Sequence, residues 1–456
     1  MLFVLSLLVG LAPQLPSPVP NTGSALRAFI ESGPGYVPPE GIPEPHSAYI
    51  GGPTWSRGWP VPGYPGIYNI ELHNTGSGYV EKFLFAPAPV TFGHPAPALV
   101  VFHGYSTSHF DALLHTDLWR EARARGWHFI APLGAFANNF GCLEGQINTQ
   151  AVLDYLVPLY PIDTQRIFGV GFSMGGGALL SQAARHNAAD GLRFSALVDH
   201  TGSVALLDVY NNSSASVRSL IESHFGGNPT QYPFRYAQCS TIDLAPGPLP
   251  HLDMALNLSA TPTLLWMATQ EPNAYLQGDM YKLRDELLAE GAPMHLVLVA
   301  GNQHSWSTLD DHAVCDWLAL QAPLPAHRLH GSVLADVGGN WFGFDLVQSA
   351  AGSFTPWRWD SHPASNELDL SESSNLLRLQ FDARDFGLAY TGDLVLSVST
   401  ADGTGDELVI EGIQLGTPPQ TVQRNGVQVT FSYDPQTGRL SLPAAGATPD
   451  VWRIHF

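Results

Sequence analysis

Lysine is nearly missing from this chain. Lys82 and Lys282 are the only two in 456 residues, and the other 18 basic side chains are arginine. Twenty basic against 40 acidic residues leave a formal charge of −20. Such a surface repels phosphate backbones and anionic headgroups, which excludes nucleic acid as an expected partner. Cysteine is scarce as well. Cys142, Cys239 and Cys315 allow one internal disulfide at most and leave an odd thiol. Their spacing matches no zinc pattern, so simple buried thiols are the commoner explanation. The 18 histidines form no metal motif, and neither a metal nor a cofactor is expected. The apolar start, Met1–Ala12, is too short to span a bilayer. It reads as the apolar region of a secretory signal peptide, although it has no basic flank and no A-x-A site. Residues 1–20 are therefore expected to direct export, giving a secreted or periplasmic protein without stable membrane insertion.

Proline and glycine are plentiful. Thirteen prolines fall within residues 13–66, a density that no long helix or central strand tolerates. Residues 21–67 are read as an irregular arm or mobile leader. Tyr68–Leu72 and Tyr79–Phe85 alternate as an antiparallel hairpin at a sheet edge. From Ala98 strands and helices alternate, with helices expected over Asp117–Arg125, Thr149–Tyr160 and Asp310–Leu320. Met280, Leu283 and Leu287 line one face of a further helix that Gly291 ends. Residues 200–261 are long for a simple crossover, and form either a lid or pocket wall, or a helix with surface loops. Beyond residue 330 the period shortens to two, as in Leu376–Phe381, Asp393–Val398, Glu407–Ile410, Val427–Phe431 and Arg439–Leu442, with Asp402-Gly403, Asn425-Gly426 and Asp434-Pro435 as turns. This is a small all-β domain, residues 330–456, of sandwich type. Trp341, Phe342, Phe344, Trp357 and Trp359 crowd its start. They form either its core or an aromatic platform for carbohydrate or polymer chains.

One stretch carries chemistry. Arg166–Val170 reads as a buried strand, Gly171-Phe172-Ser173-Met174-Gly175 as a sharp turn, and Gly176–Arg185 as a helix. That context lifts Ser173 onto a strained elbow and aims the first helical N–H groups at the same spot. The bare G-x-S-x-G pattern is weak, since roughly 0.3 chance matches are expected at this length and glycine content. Order along the chain adds the specificity. Upstream, the strand Ala98–Phe102 ends in His103-Gly104-Tyr105-Ser106, a loop suited to a second oxyanion donor. Downstream, the strand Thr263–Met267 leads to Glu271, and Met294–Val299 leads to His304. Nucleophile, acid and base thus follow as Ser, Glu, His, each just past a strand, where open α/β sheets gather their catalytic groups. His103 is expected to tie down its own loop. His312, inside the closing helix, is expected to be structural.

These residues resemble a family. Val170–Gly177 after Pro161–Ile167 looks like the secreted α/β-hydrolase esterases, in particular the group of polyhydroxyalkanoate depolymerases, feruloyl esterases and acetylxylan esterases. His103-Gly104-Tyr105 is similar to that group's first oxyanion loop, and His304-Ser305-Trp306 to its histidine loop. Gly104-Tyr105-Ser106 with Ser173–Gly177 is also similar to polyester hydrolases of the cutinase type. The match covers roughly residues 68–320. It implies an α/β fold, a doubly wound α/β-hydrolase sheet over residues 68–325, followed here by the all-β domain. It implies a serine carboxylic-ester hydrolase acting on an ester or polymer, with Ser173 as nucleophile, His304 as base, and the amides of Tyr105 and Met174 as oxyanion hole. One departure concerns the acid. The family usually has Asp just after the strand that ends here at Met267, where this chain has Glu271. Glu serves this role in some α/β hydrolases. Asp279 is the runner-up and Asp199 a distant third. Two rival functions remain open: a serine peptidase or amidase of the prolyl-oligopeptidase kind, and a dead hydrolase scaffold carrying a binding β domain.

Overall fold

The structure, a computed structural model, describes residues 53–74, 77–89, 94–188, 191–242, 253–325, 327–400, 406–414, 416–445 and 450–456. The expected export signal, the proline-rich stretch as far as residue 52 and the Asp402-Gly403 turn lie outside them.

Apolar strand sequences between helices build one mixed sheet of nine strands among the described residues. In chain order these are β1 (Pro53–Pro60), β2 (Tyr68–Asn74), β3 (Val80–Ala86), β4 (Ala96–Phe102), β5 (His128–Pro132), β6 (Ile162–Phe172), β7 (Phe194–His200), β8 (Thr263–Ala268) and β9 (Met294–Val299). Their spatial order is β1-β2-β3-β5-β4-β6-β7-β8-β9. The first three are antiparallel neighbours, β3 runs antiparallel to β5, and β4 to β9 are parallel. After β4 the chain moves to β5 on one side, then returns to β6 on the other. The carboxyl ends of β4 and β6 therefore flank the point where strand order reverses, the usual place for a binding crevice.

The start of this domain differs from the sequence expectation. Residues 53–60, read as part of an irregular arm, form a strand paired with β2, with Trp59 opposite Asn69 and Pro60 opposite Tyr68. Pro53 and Pro60 stand at its ends and β1 is the sheet's edge, the setting in which a missing N–H removes no ladder bond.

Helices cover both faces. They are α1 (Asp111–His115), α2 (Leu118–Ala124), α3 (Leu143–Leu156), α4 (Met174–Arg185), α5 (Leu206–Asn212), α6 (Ala215–Phe225), α7 (Pro233–Ala237), α8 (Ala274–Ala289) and α9 (Asp311–Ala319). Tyr155 of α3, Leu180 of α4 and Leu283 of α8 pack with Val100 and Leu265 on one face. Leu118 of α2 and Leu318 of α9 pack with Leu99, Phe168 and Trp266 on the other. Leu99 and Val100 face opposite ways because consecutive strand side chains alternate, and with helices on both sides both are buried. The stretch after β7 holds α5 to α7. Leu206, Ile221, Phe225 and Tyr236 gather there with Phe140 and Met174, forming an apolar wall beside the elbow helix.

Residues 330–455 form two further sheets of seven and six strands among the described residues. Val333, Leu394 and Trp452 of one sheet pack with Leu346, Phe381 and Leu442 of the other, which makes a sandwich. Trp341, Phe342, Phe344, Trp357 and Trp359 are all at most 3% exposed. This corrects the platform reading: these rings are core, and none offers a face to a sugar or polymer. The physical reason is that Trp341, Phe344, Trp357 and Trp359 lie on strands whose inner faces meet across the sandwich, and Phe342, in the turn between two of those strands, packs into the same core.

The sandwich is latched to the first domain rather than tethered to it. Asn257 Nδ2 donates to Leu334 O at 3.0 Å and to Ala184 O at 2.8 Å, while Leu334 N donates to Asn257 Oδ1 at 2.7 Å. One buried amide thus acts as a stretch of strand for the β domain and as a C-cap for α4. Arg185 Nε donates to the fully buried Asp336 at 2.8 Å, and Arg185 Nη1 donates to Gln146 Oε1 at 2.7 Å.

Candidate active site

Strand β6 ends at Phe172 and α4 starts at Met174, so a single residue makes the turn. That residue, Ser173, has φ 54° and ψ −120°, a region that costs a side-chain-bearing residue about 1–3 kcal/mol and persists only where the surroundings enforce it. They do so through hydrogen bonds. Ser173 N donates to His200 O at 3.0 Å, and Ser203 N donates to Ser173 O at 3.0 Å. The flanking glycines permit the approach. A Cβ at Gly171 would sit 2.3 Å from Gly175 O, and one at Gly175 would sit 2.4 Å from the carbonyl oxygens of both Phe102 and His103.

Strand order and elbow together decide the architecture. The fold is that of the α/β hydrolases.

In this α/β-hydrolase fold three distant side chains meet. Ser173 Oγ donates to His304 Nε2 at 2.8 Å, and the Nδ1–H of the same ring donates to Glu271 Oε2 at 3.1 Å. His304 follows β9, and its ring lies 4.7 Å from that of Phe172. Glu271 is placed by a continuation of the β8–β9 pairing beyond the strand ends, in which Thr269 N donates to Val299 O and Gln270 N to Gly301 O. Its second oxygen, Oε1, accepts from Asn273 N at 3.0 Å and from Asn273 Nδ2 at 2.9 Å. Asn273 was not singled out from the sequence. Its signal was available in Glu271-Pro272-Asn273, a turn in which an amide side chain reaches back to the residue two before it.

The other candidates fall elsewhere. Asp279 is buried on α8, 3.6 Å from Lys282 Nζ, and makes no bond to His304. Asp199 lies behind the elbow, its carboxyl wedged against Gly176 and Gly202. Burial pushes Asp199 up to about 8, so near neutral pH it carries little charge with which to orient an imidazolium. His312 sits on the surface with Glu121 Oε2 at 2.9 Å and Asp316 Oδ2 at 3.3 Å. His103 is buried, with ring nitrogens 2.8 Å from Gly104 O and 2.9 Å from Leu133 O, and holds its own loop to the next one.

Burial raises the Glu271 carboxyl, but hydrogen bonds from His304 and Asn273 outweigh that, and the group titrates below its ordinary 4.5. A depressed carboxyl contributes stability that is fully present above the unfolded value and is lost as pH falls through the folded one. The stability difference between the parent and Glu271→Gln is therefore expected to hold from pH 7 to about 5 and to shrink below about 4.5. Urea unfolding of both proteins across that range checks it. His200 was also not foreseen. It is buried against Phe172 at 4.8 Å, donates from Nε2 to Thr308 Oγ1 at 2.8 Å, and is pushed down to about 3, by burial first and by His304 second. It is a neutral spacer beneath the histidine loop.

The expected oxyanion donors are the amides of Met174 and Tyr105. Met174 is the first residue of α4, so its N–H belongs to the unsatisfied helix start. Tyr105 lies between residues whose amides are already engaged: Gly104 N donates to Asp111 Oδ2 at 3.0 Å and Ser106 N to Ala137 O at 2.8 Å. The Tyr105 ring, 36% exposed, leans on Phe140 with centroids 5.3 Å apart. The three cysteines are free and buried, and burial pushes Cys239 and Cys315 up to about 12, which removes them as nucleophiles. Among the described residues no His, Cys, Asp and Glu cluster suits a metal ion, and no helix is long and apolar enough to cross a membrane.

No protein-family model and no curated protein sequence matches this chain. Solved structures do resemble it. The S-formylglutathione hydrolase of Staphylococcus aureus is 17% identical, with 55% of this chain and 96% of that one covered, at a TM-score of 0.41. An acetyl xylan esterase from Paenibacillus sp. R4 is 13% identical, with 66% and 93% covered, at 0.42. A ferulic acid esterase is 16% identical, with 55% and 95% covered, at 0.40.

Proposed function

We propose that this protein is a secreted serine hydrolase of carboxylic esters that works through an acyl-enzyme on Ser173. The observation that carries the reading is the unbroken line from Ser173 through His304 to a buried carboxylate, Glu271, at the switch point of the sheet. In the first step Ser173 Oγ attacks the ester carbonyl carbon while His304 Nε2 takes its proton. The resulting oxyanion sits against the amides of Met174 and Tyr105. Removing one such donor typically costs about 3 kcal/mol of barrier. The tetrahedral species collapses as His304 returns the proton to the leaving alcohol. Water then repeats the sequence on the acyl-enzyme and releases the acid. Glu271 holds His304 in the tautomer with the proton on Nδ1 and stabilises the imidazolium that forms.

The motif resemblance supports an ester or polyester of the kind found in storage polymers and plant walls. The apolar run Leu2–Val9 supports export. A fluorophosphonate probe tests the class, with labelling expected at Ser173 alone. A panel of aryl, alkyl and polymer esters against matched peptide amides tests the bond, with ester turnover expected to exceed amide turnover by at least about 10³-fold. Amide turnover at or above ester turnover would replace the esterase reading with the peptidase one, and absence of labelling would leave a binding scaffold.

A further inference from the structure

Asp111 lies outside every sequence motif and outside the Ser173–His304–Glu271 line. Its side chain is 4% exposed at the start of the short helix α1. Its Oδ2 accepts two hydrogen bonds from two different loops. One comes from Gly104 N at 3.0 Å, the amide just before Tyr105. The other comes from the indole Nε1 of Trp306 at 2.9 Å, two residues after His304. An sp² oxygen has two lone pairs, and both are used. Oδ1 is held in turn by His115 Nδ1 at 2.9 Å, which sets the plane of the carboxyl.

We propose that Asp111 is a positioning residue that locks the oxyanion loop and the histidine loop to each other through one oxygen atom. This rests on the reading of Ser173 as nucleophile and His304 as base. Each loop is already tied within itself. Thr107 Oγ1 donates to Gly104 O at 2.7 Å, and Thr308 Oγ1 donates to Ser305 O at 2.9 Å. Those local bonds set the shape of each loop but leave open the distance between them, and that distance matters for catalysis. The Tyr105 amide must meet the oxyanion at the moment His304 carries the proton. Phe172 adds a packed spacer to the same joint, with its ring 5.1 Å from Trp306 and 4.7 Å from His304. Its edge also lies 3.1 Å from where a Gly104 Cβ would be. Residue 104 therefore approaches both the carboxylate and the ring closely. The Asp111 link is made of directional bonds and the Phe172 link of contact, so the first sets orientation and the second sets separation.

The test compares Asp111→Ala, Asp111→Asn and Trp306→Phe with the parent. The readouts are the rate of Ser173 labelling by a fluorophosphonate, kcat and KM on an activated ester, and affinity for a boronic acid that mimics the oxyanion. Asp111→Ala is expected to slow labelling and kcat roughly 30-fold and weaken the boronate similarly, with KM within about twofold, because loosened geometry acts on the transition state. Asp111→Asn is expected to recover most of that loss, since its carbonyl oxygen accepts both N–H groups and its amide can donate to His115. Trp306→Phe should cost less than Asp111→Ala, and the double variant should be no worse than Asp111→Ala alone. Parent-like labelling by Asp111→Ala, or an Asp111→Asn as poor as the alanine variant, overturns the proposal. Should Asp111→Ala not fold, slowed labelling by Trp306→Phe beside a nearly parent-like Asp111→Asn would support it, and parent-like labelling by Trp306→Phe would refute it. A parent that labels at Ser173 yet cleaves no ester defeats the substrate reading alone, and the labelling rates still decide Asp111. A parent that does not label defeats both.

Discussion

Replacing Ser173 with alanine is expected to lower kcat for ester hydrolysis on the order of 10⁶-fold, to abolish fluorophosphonate labelling and to leave the unfolding transition close to the parent's. The size follows from what the hydroxyl does. In the proposed mechanism it is the only atom that forms a bond to substrate, so its loss would remove the acyl-enzyme route altogether and leave His304 with no proton to take. What survives is binding plus the two amides, which typically retain about 10³–10⁴-fold over water. The fold should bear the change well. The elbow is secured by main-chain bonds, from Ser173 N to His200 O and from Ser203 N to Ser173 O, and the hydroxyl contributes to neither. Active-site titration, steady-state kinetics and thermal unfolding of the two proteins decide it. Ester turnover by Ser173→Ala within tenfold of the parent would end the nucleophile assignment.

The second large effect separates the acids. Glu271→Gln is expected to reduce kcat about 10⁴-fold, and Asp279→Asn to stay within about threefold of the parent. Surroundings, more than lost charge, make the glutamine harmful. Asn273 presents two donors, N and Nδ2, at the place of Oε1. They will hold the glutamine's carbonyl oxygen there and turn its NH₂ toward His304 Nδ1. That ring nitrogen must then accept, so its proton moves to Nε2, and Nε2 can no longer receive the proton of Ser173. Asp279, paired with Lys282 on α8, touches no group in this relay. Steady-state kinetics near neutral pH on both variants provides the comparison, and the reverse ranking would transfer the role to Asp279. A double change, Glu271→Gln with Asn273→Ala, should regain part of the loss by freeing the amide to flip, an outcome that a purely electrostatic role for Glu271 does not produce.

Particular residues show where sequence reading reached and where it stopped. Gly171 and Gly175 on either side of Ser173 announced an elbow because only residues without a Cβ fit there, a constraint imposed by atoms within a few residues and by the neighbouring strand end. Met280, Leu283 and Leu287 announced a buried helix face by spacing alone, and all three are fully buried. The alternation beyond residue 330 announced strands and favoured core packing for Trp357 and Trp359, yet it did not exclude an outer platform. Alternation says that two faces differ and is silent on what covers each one. The proline density of residues 53–60 argues against a central strand, while an edge strand with proline at both ends satisfies the same rule.

The sequence by itself determined the layered α/β architecture, the β-strand character of the final 120-odd residues and the identities of Ser173 and His304 as candidates, because each follows from short-range backbone preferences and from the order of strands along the chain. Only the tertiary structure brought Glu271 within 3.1 Å of His304, brought Asp111 between two loops almost 200 residues apart, seen in its bond to Trp306, and turned the aromatic cluster inward. Those outcomes depend on where the ends of side chains from remote segments come to rest. That is set by packing across the sheet and between the domains, and no local pattern encodes it.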